Sequence, residues 1–203
     1  MAINIAIVCL TLYTCWWTYN IFERGKTVEQ KKVMFRFYTY NSNILSAAVS
    51  LVILIYELLS LSSGAAAFPE WAILLRLTAT TSVAVTFLTV LFFLAPIMGV
   101  KEMYTKDAFY MHLVGPVLAA VQFVFVENSF SISFPLSLLG VSTVIIYAVV
   151  YLIKVVKIGE DNGGWPDFYF FNQNGKWPIS FTAMIAAGAI ISLALSWAHN
   201  GII

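Results

Sequence analysis

Six runs of apolar residues, each near the twenty that a helix needs to cross about 30 Å of hydrocarbon, fall at about 3–21, 37–60, 71–97, 108–126, 132–155 and 178–198. Polar and turn-forming residues separate them at Ser62-Ser63-Gly64, Phe68-Pro69, Asn128-Ser129 and Gly163-Gly164-Trp165-Pro166, the punctuation expected of interfacial loops. The pattern predicts an all-α fold: one polytopic membrane domain over residues 1–203, a bundle of six transmembrane helices. No internal repeat is evident, so an inverted-repeat transporter has little direct support. The first run has no basic segment before it and continues through Trp16-Trp17 without a small-x-small cleavage site, so it reads as a span. Composition agrees, with 61% hydrophobic residues, 10% charged residues and a mean hydropathy of +0.86, far from a soluble domain of this length.

Charge adds an orientation. The formal net charge of +1 gives no reason to expect a nucleic-acid partner. Arg24, Lys26, Lys31, Lys32 and Arg36 lie between spans one and two, Lys101 and Lys106 between three and four, and Lys154, Lys157 and Lys176 around the fifth connector. Ten of the eleven basic residues therefore share one side, which the positive-inside rule makes cytoplasmic, with both termini outside. The exception is Arg76, one turn into span three at about the depth of Glu57 in span two, and a structural ion pair between them is expected. Cys9 and Cys15 sit six apart in one apolar run with no His or acidic neighbour to hold a metal. They read as packing residues, and nothing in the chain calls for a metal or another cofactor.

Polar positions inside the apolar runs are the candidates for chemistry. Span two opens with Phe37-Tyr38-Thr39-Tyr40-Asn41-Ser42-Asn43, and helical spacing puts Thr39, Ser42 and Asn43 on one face. Span three carries a row of hydroxyls, Thr78, Ser82, Thr86 and Thr89, which reads first as close packing with bonds to carbonyls four residues back and second as a polar cavity wall. Of the two histidines, His199 is expected to face solvent at the end of span six. His112 lies inside span four in Tyr110-Met111-His112-Leu113-Val114-Gly115-Pro116, where an imidazole needs a partner. At 1.5 Å per residue His112 lies ~8 Å past Lys106-Asp107 and Thr39 ~5 Å past Arg36, so their depths match on the same side. A hydroxyl and an imidazole at one depth fit a nucleophile with its general base, but on spacing alone a histidine that merely ties two helices together is the first reading. The connector Trp165-Pro166-Asp167-Phe168-Tyr169-Phe170-Phe171-Asn172 lies on this side and can fold over the same mouth. Phe37, Tyr38, Tyr40, Phe168, Tyr169 and Phe170 would form an interfacial belt, or an acyl slot.

Thr39-x-x-Ser42-Asn43-Ile44-Leu45 at span two, His112-x-x-x-Pro116 at span four, and Gly164-Trp165 before Phe170-Phe171-Asn172 together resemble the six-span family of androgen-induced protein and androgen-dependent TFPI-regulating protein, with its small bacterial relatives. The likeness covers nearly the whole chain in span number and motif order. It implies an intramembrane threonine hydrolase of fatty acid esters of hydroxy fatty acids in a bacterial plasma membrane, with Thr39 as nucleophile and His112 as base. Two departures stand out: Gln122 where relatives often carry an acid, and an altered connector at Trp165-Pro166-Asp167-Phe168. The mechanism so implied takes a lipid or fatty acyl ester sideways from the inner leaflet, with Asn43, Ser42, Trp165, Asn172 and Gln122 as candidates for substrate or oxyanion contacts, Asn43 first among them. The competing expectation is a non-catalytic lipid-binding or transport protein that uses the same polar pocket. No protein partner or oligomeric state follows from the sequence.

Overall fold

The computed structural model describes residues 1–22, 25–63, 68–105, 107–127 and 129–203, and among them there is no strand. Among the described residues five helices are long and apolar enough to cross a membrane: α1 (Ala2–Asn20), α2 (Tyr38–Leu61), α3 (Glu70–Met98), α5 (Phe134–Ile158) and α6 (Trp177–Asn200). Between them α4 (Tyr110–Phe125) is shorter and equally apolar, preceded by a helical turn at Asp107–Phe109. The protein is an all-α polytopic membrane bundle. Helix α4 stops early because the chain turns at its end, where the amides of Val126 and Glu127 both bond to the Gln122 carbonyl. Of the sequence features named above, Arg24, Gly64, Lys106 and Asn128 lie outside the described residues.

Helix α3 is the axis of the bundle. Its Ile73, Leu77, Ala79, Val83 and Val90 are fully buried, and α2, α4, α5 and α6 all pack on it. The hydroxyl row explains how a span this central stays close to so many neighbours. Thr78, Ser82 and Thr86 bond to carbonyls four residues back, at 3.0, 2.7 and 3.3 Å. The same side chains reach across, Thr86 to Ser42 of α2 at 2.9 Å and Ser82 to Thr143 of α5. Small hydroxyl side chains thus allow close approach and contribute the interhelical bonds that hydrocarbon cannot.

At the end of the bundle that carries both termini, a buried polar network replaces the ion pair expected between Arg76 and Glu57. Arg76 is completely buried and pairs with Glu127 through two bonds, Nε to Oε2 at 2.7 Å and Nη2 to Oε1 at 3.0 Å. Its Nη1 also donates to the Ser50 hydroxyl and its Nη2 to the side-chain Oδ1 of Asn4. Glu57 instead accepts from the Met1 amine at 2.7 Å and from Asn4 at 3.3 Å, and keeps 14% of its side chain exposed. A guanidinium fully out of water needs a carboxylate equally out of water, and Glu127 is that carboxylate. His199 is also corrected: it is fully buried, stacked on Phe123 at 4.5 Å, with its ring nitrogens 2.9 Å from the Phe123 and Phe130 carbonyls. The end of α6 is drawn inward because Asn200 bonds both the amide and the carbonyl of Ile132.

The opposite, basic end is built differently. The helices there loosen into π-helical turns at Thr18–Phe22, Val90–Leu94, Tyr110–Val114 and Leu152–Ile158. Two of these have a covalent cause. A proline lacks the N–H that would bond four residues back, and its ring crowds that carbonyl. Pro96 does this to Phe92, and Pro116 does it to His112. The wide turn around His112 is therefore written in His112-x-x-x-Pro116, and such turns concentrate at functional sites.

Candidate functional site

Helix α2 begins after Phe37, whose backbone is extended, and its first turn is fixed through the Thr39 carbonyl. Ser42 Oγ donates to that carbonyl at 3.1 Å and Asn43 Nδ2 at 2.8 Å, so these residues share one face as their spacing predicts. Asn41 turns elsewhere, to the Phe35 carbonyl at 2.9 Å. The same Asn43 nitrogen also donates to the Met111 carbonyl at 3.1 Å. One amide group therefore clamps the turn that carries Thr39 to the residue before His112, and holds the two carbonyls less than about 6 Å apart. Gly115 makes this approach possible: a Cβ there would stand 2.8 Å from Asn43 Oδ1 and 3.3 Å from the Tyr110 ring.

His112 is half-buried, with Nδ1 2.6 Å from the Met103 carbonyl and its ring edge-on to Tyr104. A carbonyl only accepts, so Nδ1 carries the proton in that bond.

Thr39 faces a groove of about 620 Å³. The walls are α3 from Val85 to Leu94, α5 at Val144, Tyr147 and Tyr151, and α6 from Ile179 to Ile191, nearly all of them apolar. Its rim includes Phe92, Ile179 and Ile190, exposed by 73, 67 and 66%, so it opens on the surface that meets lipid. The connector between α5 and α6 closes the basic end with Tyr169, Phe170 and Phe171. Asp167 shapes it. Its Oδ1 accepts from the Phe171 amide at 2.8 Å and the Tyr151 hydroxyl at 3.1 Å, and its Oδ2 from the Asn172 amide at 2.8 Å. These bonds hold Phe170 at a φ of 55°, a left-handed conformation uncommon for a bulky residue. The turn carries the Tyr169 hydroxyl to the start of α2, where it accepts the Tyr38 N–H at 3.0 Å and meets the backbone and side chain of Thr39.

No family model, curated protein or solved structure matches the chain. The site therefore has to be read from its own geometry.

The residues singled out from sequence fall into three groups. Asn43 joins the Thr39 carbonyl of α2 to the Met111 carbonyl of α4, with Ser42 on the same turn; the Thr39 side chain lines the groove, and His112 does not. Trp165 packs against Tyr151 and Phe168 beside a second, smaller hollow on the far side of Tyr38 and Tyr147. Asn172 caps the connector turn through its amide, outside the groove lining. Gln122 belongs to the other end of the bundle, where it donates to Glu127 at 3.0 Å, so it takes no part in a site at Thr39. The nearby carboxylate, Glu127, is engaged with Arg76. Among the described residues no group of three or more His, Cys, Asp or Glu is placed to hold a metal. Tyr169 is one of the polar side chains of the groove that spacing did not single out as a site residue, having read as belt or acyl slot. Its one signal in the sequence is a phenol beside Asp167 in an otherwise aromatic connector.

Proposed function

We propose that the protein is an intramembrane hydrolase of fatty acyl esters, with Thr39 as nucleophile and His112 as general base. The observation that carries this reading is the Asn43 clamp, which fixes the Thr39 turn against the residue before His112 while Thr39 faces an apolar groove open to lipid. At ~30 Å³ per methylene, close to the volume of a water in the liquid, the groove has room for one chain on the order of twenty carbons. The resemblance to the androgen-induced protein family points to the same two residues and to the same class of substrate.

In this reading the ester slides in from the bilayer with its carbonyl at the basic, cytoplasmic end. Thr39 turns about its first side-chain torsion toward His112, gives its proton to Nε2, and its oxygen attacks the carbonyl carbon. Collapse expels the alcohol with that proton, and water entering between the basic connectors then releases the acid. His112 Nδ1–H, held on the Met103 carbonyl, fixes the tautomer this requires.

A second reading is a lipid-binding protein without turnover. It is favoured by the absence of His112 from the groove lining, and by the Met103 bond, which would serve a purely structural histidine as well. Purified protein in nanodiscs separates the two. The hydrolase reading requires hydrolysis of a fluorogenic palmitate ester and labelling of Thr39 by a fluorophosphonate, both lost in Thr39→Ala and His112→Ala at unchanged melting temperature. Folded wild-type protein that co-purifies with lipid yet neither turns over nor labels would establish the second reading instead.

A further inference from the structure

We propose that Tyr169 is the oxyanion donor of this site, a catalytic residue supplied by the connector between α5 and α6. The inference rests on the hydrolase reading and adds to it the group that meets the negative charge of the tetrahedral intermediate.

When the Thr39 oxygen bonds to the ester carbon, the carbonyl's π electrons move onto its oxygen and a donor must be waiting there. The donors that spacing favours are already committed. The Asn43 amide is shared between the Thr39 and Met111 carbonyls, Ser42 is bonded to the Thr39 carbonyl and Thr86, and Gln122 lies at the other end of the bundle. Tyr169 differs in lining the groove beside Thr39. Its oxygen accepts the Tyr38 N–H at the start of α2, which leaves its own proton to be directed at a neighbour. Tyr147, the other phenol that meets it, sends its proton to the Arg36 carbonyl at 2.6 Å. The Tyr169 proton is thus the donor at the polar end of the groove that a substrate carbonyl on Thr39 can draw upon. Burial pushes the phenol up to about 12, against the hydrogen bonds from the start of α2, so at neutral pH it stays protonated and able to donate. No proton leaves Tyr169 in the step: it strengthens a hydrogen bond as the oxyanion forms and relaxes as the carbonyl returns.

The position is also built to be rigid. The Tyr169 amide bonds to the Tyr151 hydroxyl at 3.0 Å, and that hydroxyl bonds to Asp167. A donor held in advance is what electrostatic stabilisation of a transition state requires.

Tyr169→Phe, assayed on a fluorogenic palmitate ester in nanodiscs, should lower kcat about a hundredfold or more with KM within about twofold of wild type and the melting temperature within about 5 °C. Loss of a mainly structural contact would instead raise KM or lower the melting temperature. Should Tyr169→Phe fail to fold, 3,5-difluorotyrosine at position 169 keeps both ring and hydroxyl but ionises at lower pH. Its kcat should then fall as pH rises through its ionisation, over a range where wild type stays flat. An active wild type with Tyr169→Phe within about threefold in kcat, or with a difluorotyrosine profile that follows wild type, overturns the role of Tyr169 alone. Wild-type protein that neither turns over nor labels at Thr39 overturns the hydrolase reading, and the role of Tyr169 with it.

Discussion

At the scale of single residues, the polar groups divide into those that hold the bundle and those that face the groove. Arg76 and Glu127 belong to the first kind, both fully buried and joined by two hydrogen bonds. Removing one partner of such a pair leaves a charge out of water, at about 3–5 kcal/mol, whereas replacing both with apolar residues of similar volume is often neutral. Glu127→Leu and Arg76→Met should each lower unfolding stability in detergent by that order. The double variant should recover most of the loss, and a double variant no better than the worse single one would show that the orphaned charge is not what destabilises the single variants. The sequence made Arg76 legible as a buried charge in need of a partner but assigned the partner to Glu57. Depth along a helix can be counted from residue numbers; which of two carboxylates at one level faces the guanidinium depends on helix rotation and on the turn after α4. His199 was misread for a similar reason, since its burial depends on Asn200 gripping Ile132.

At the scale of the helix pair, the contact of α2 with α4 depends on a residue with no side chain. Gly115 faces Asn43, whose amide spans the Thr39 and Met111 carbonyls. A methyl group there would overlap Asn43 Oδ1 and press on Tyr110, and neither can yield freely, because Asn43 is clamped and the Tyr110 hydroxyl is bonded to Thr11 and the Ile7 carbonyl. Overpacking of this kind costs about 1–3 kcal/mol. Gly115→Ala should therefore reduce Thr39 labelling at least about tenfold and lower the melting temperature, while Asn43→Ala should reduce labelling without the overpacking. Labelling at the wild-type rate in both would mean that the clamp does not govern Thr39. Much of this contact was legible: His112-x-x-x-Pro116 carries the cause of the wide turn, and the spacing of Thr39, Ser42 and Asn43 carries the shared face. Tyr169 was not legible as a site residue. Its placement follows from a left-handed Phe170 and three hydrogen bonds to one carboxylate, none of which has a period in the sequence.

At the scale of the whole molecule, the two ends of the bundle are specialised in opposite ways. The end with the termini is locked by the network around Arg76 and by His199, and the basic end is loosened by π-helical turns where the groove meets the connector. A rigid base under a widened mouth suits a site that must admit a chain from the side. Within the bilayer an acyl chain gains little from burial alone, since the surrounding lipid is equally apolar. Selection among substrates then falls to the shape of the groove. The wall from α6 is lined by Ala183 and Ala187, small side chains that leave room which larger ones would fill. Ala187→Trp should place a ring where the chain runs, and at ~1–3 kcal/mol of overpacking it should lower kcat/KM for a palmitate ester at least about fivefold. A butyrate ester, whose chain would end near Thr39, should keep its rate within about twofold, because the reacting groups proposed for the hydrolase lie on α2, α4 and the connector. Equal loss for both esters would place the chain outside the groove, and co-purified lipid measured by mass spectrometry would then remain at wild-type levels in the same variant.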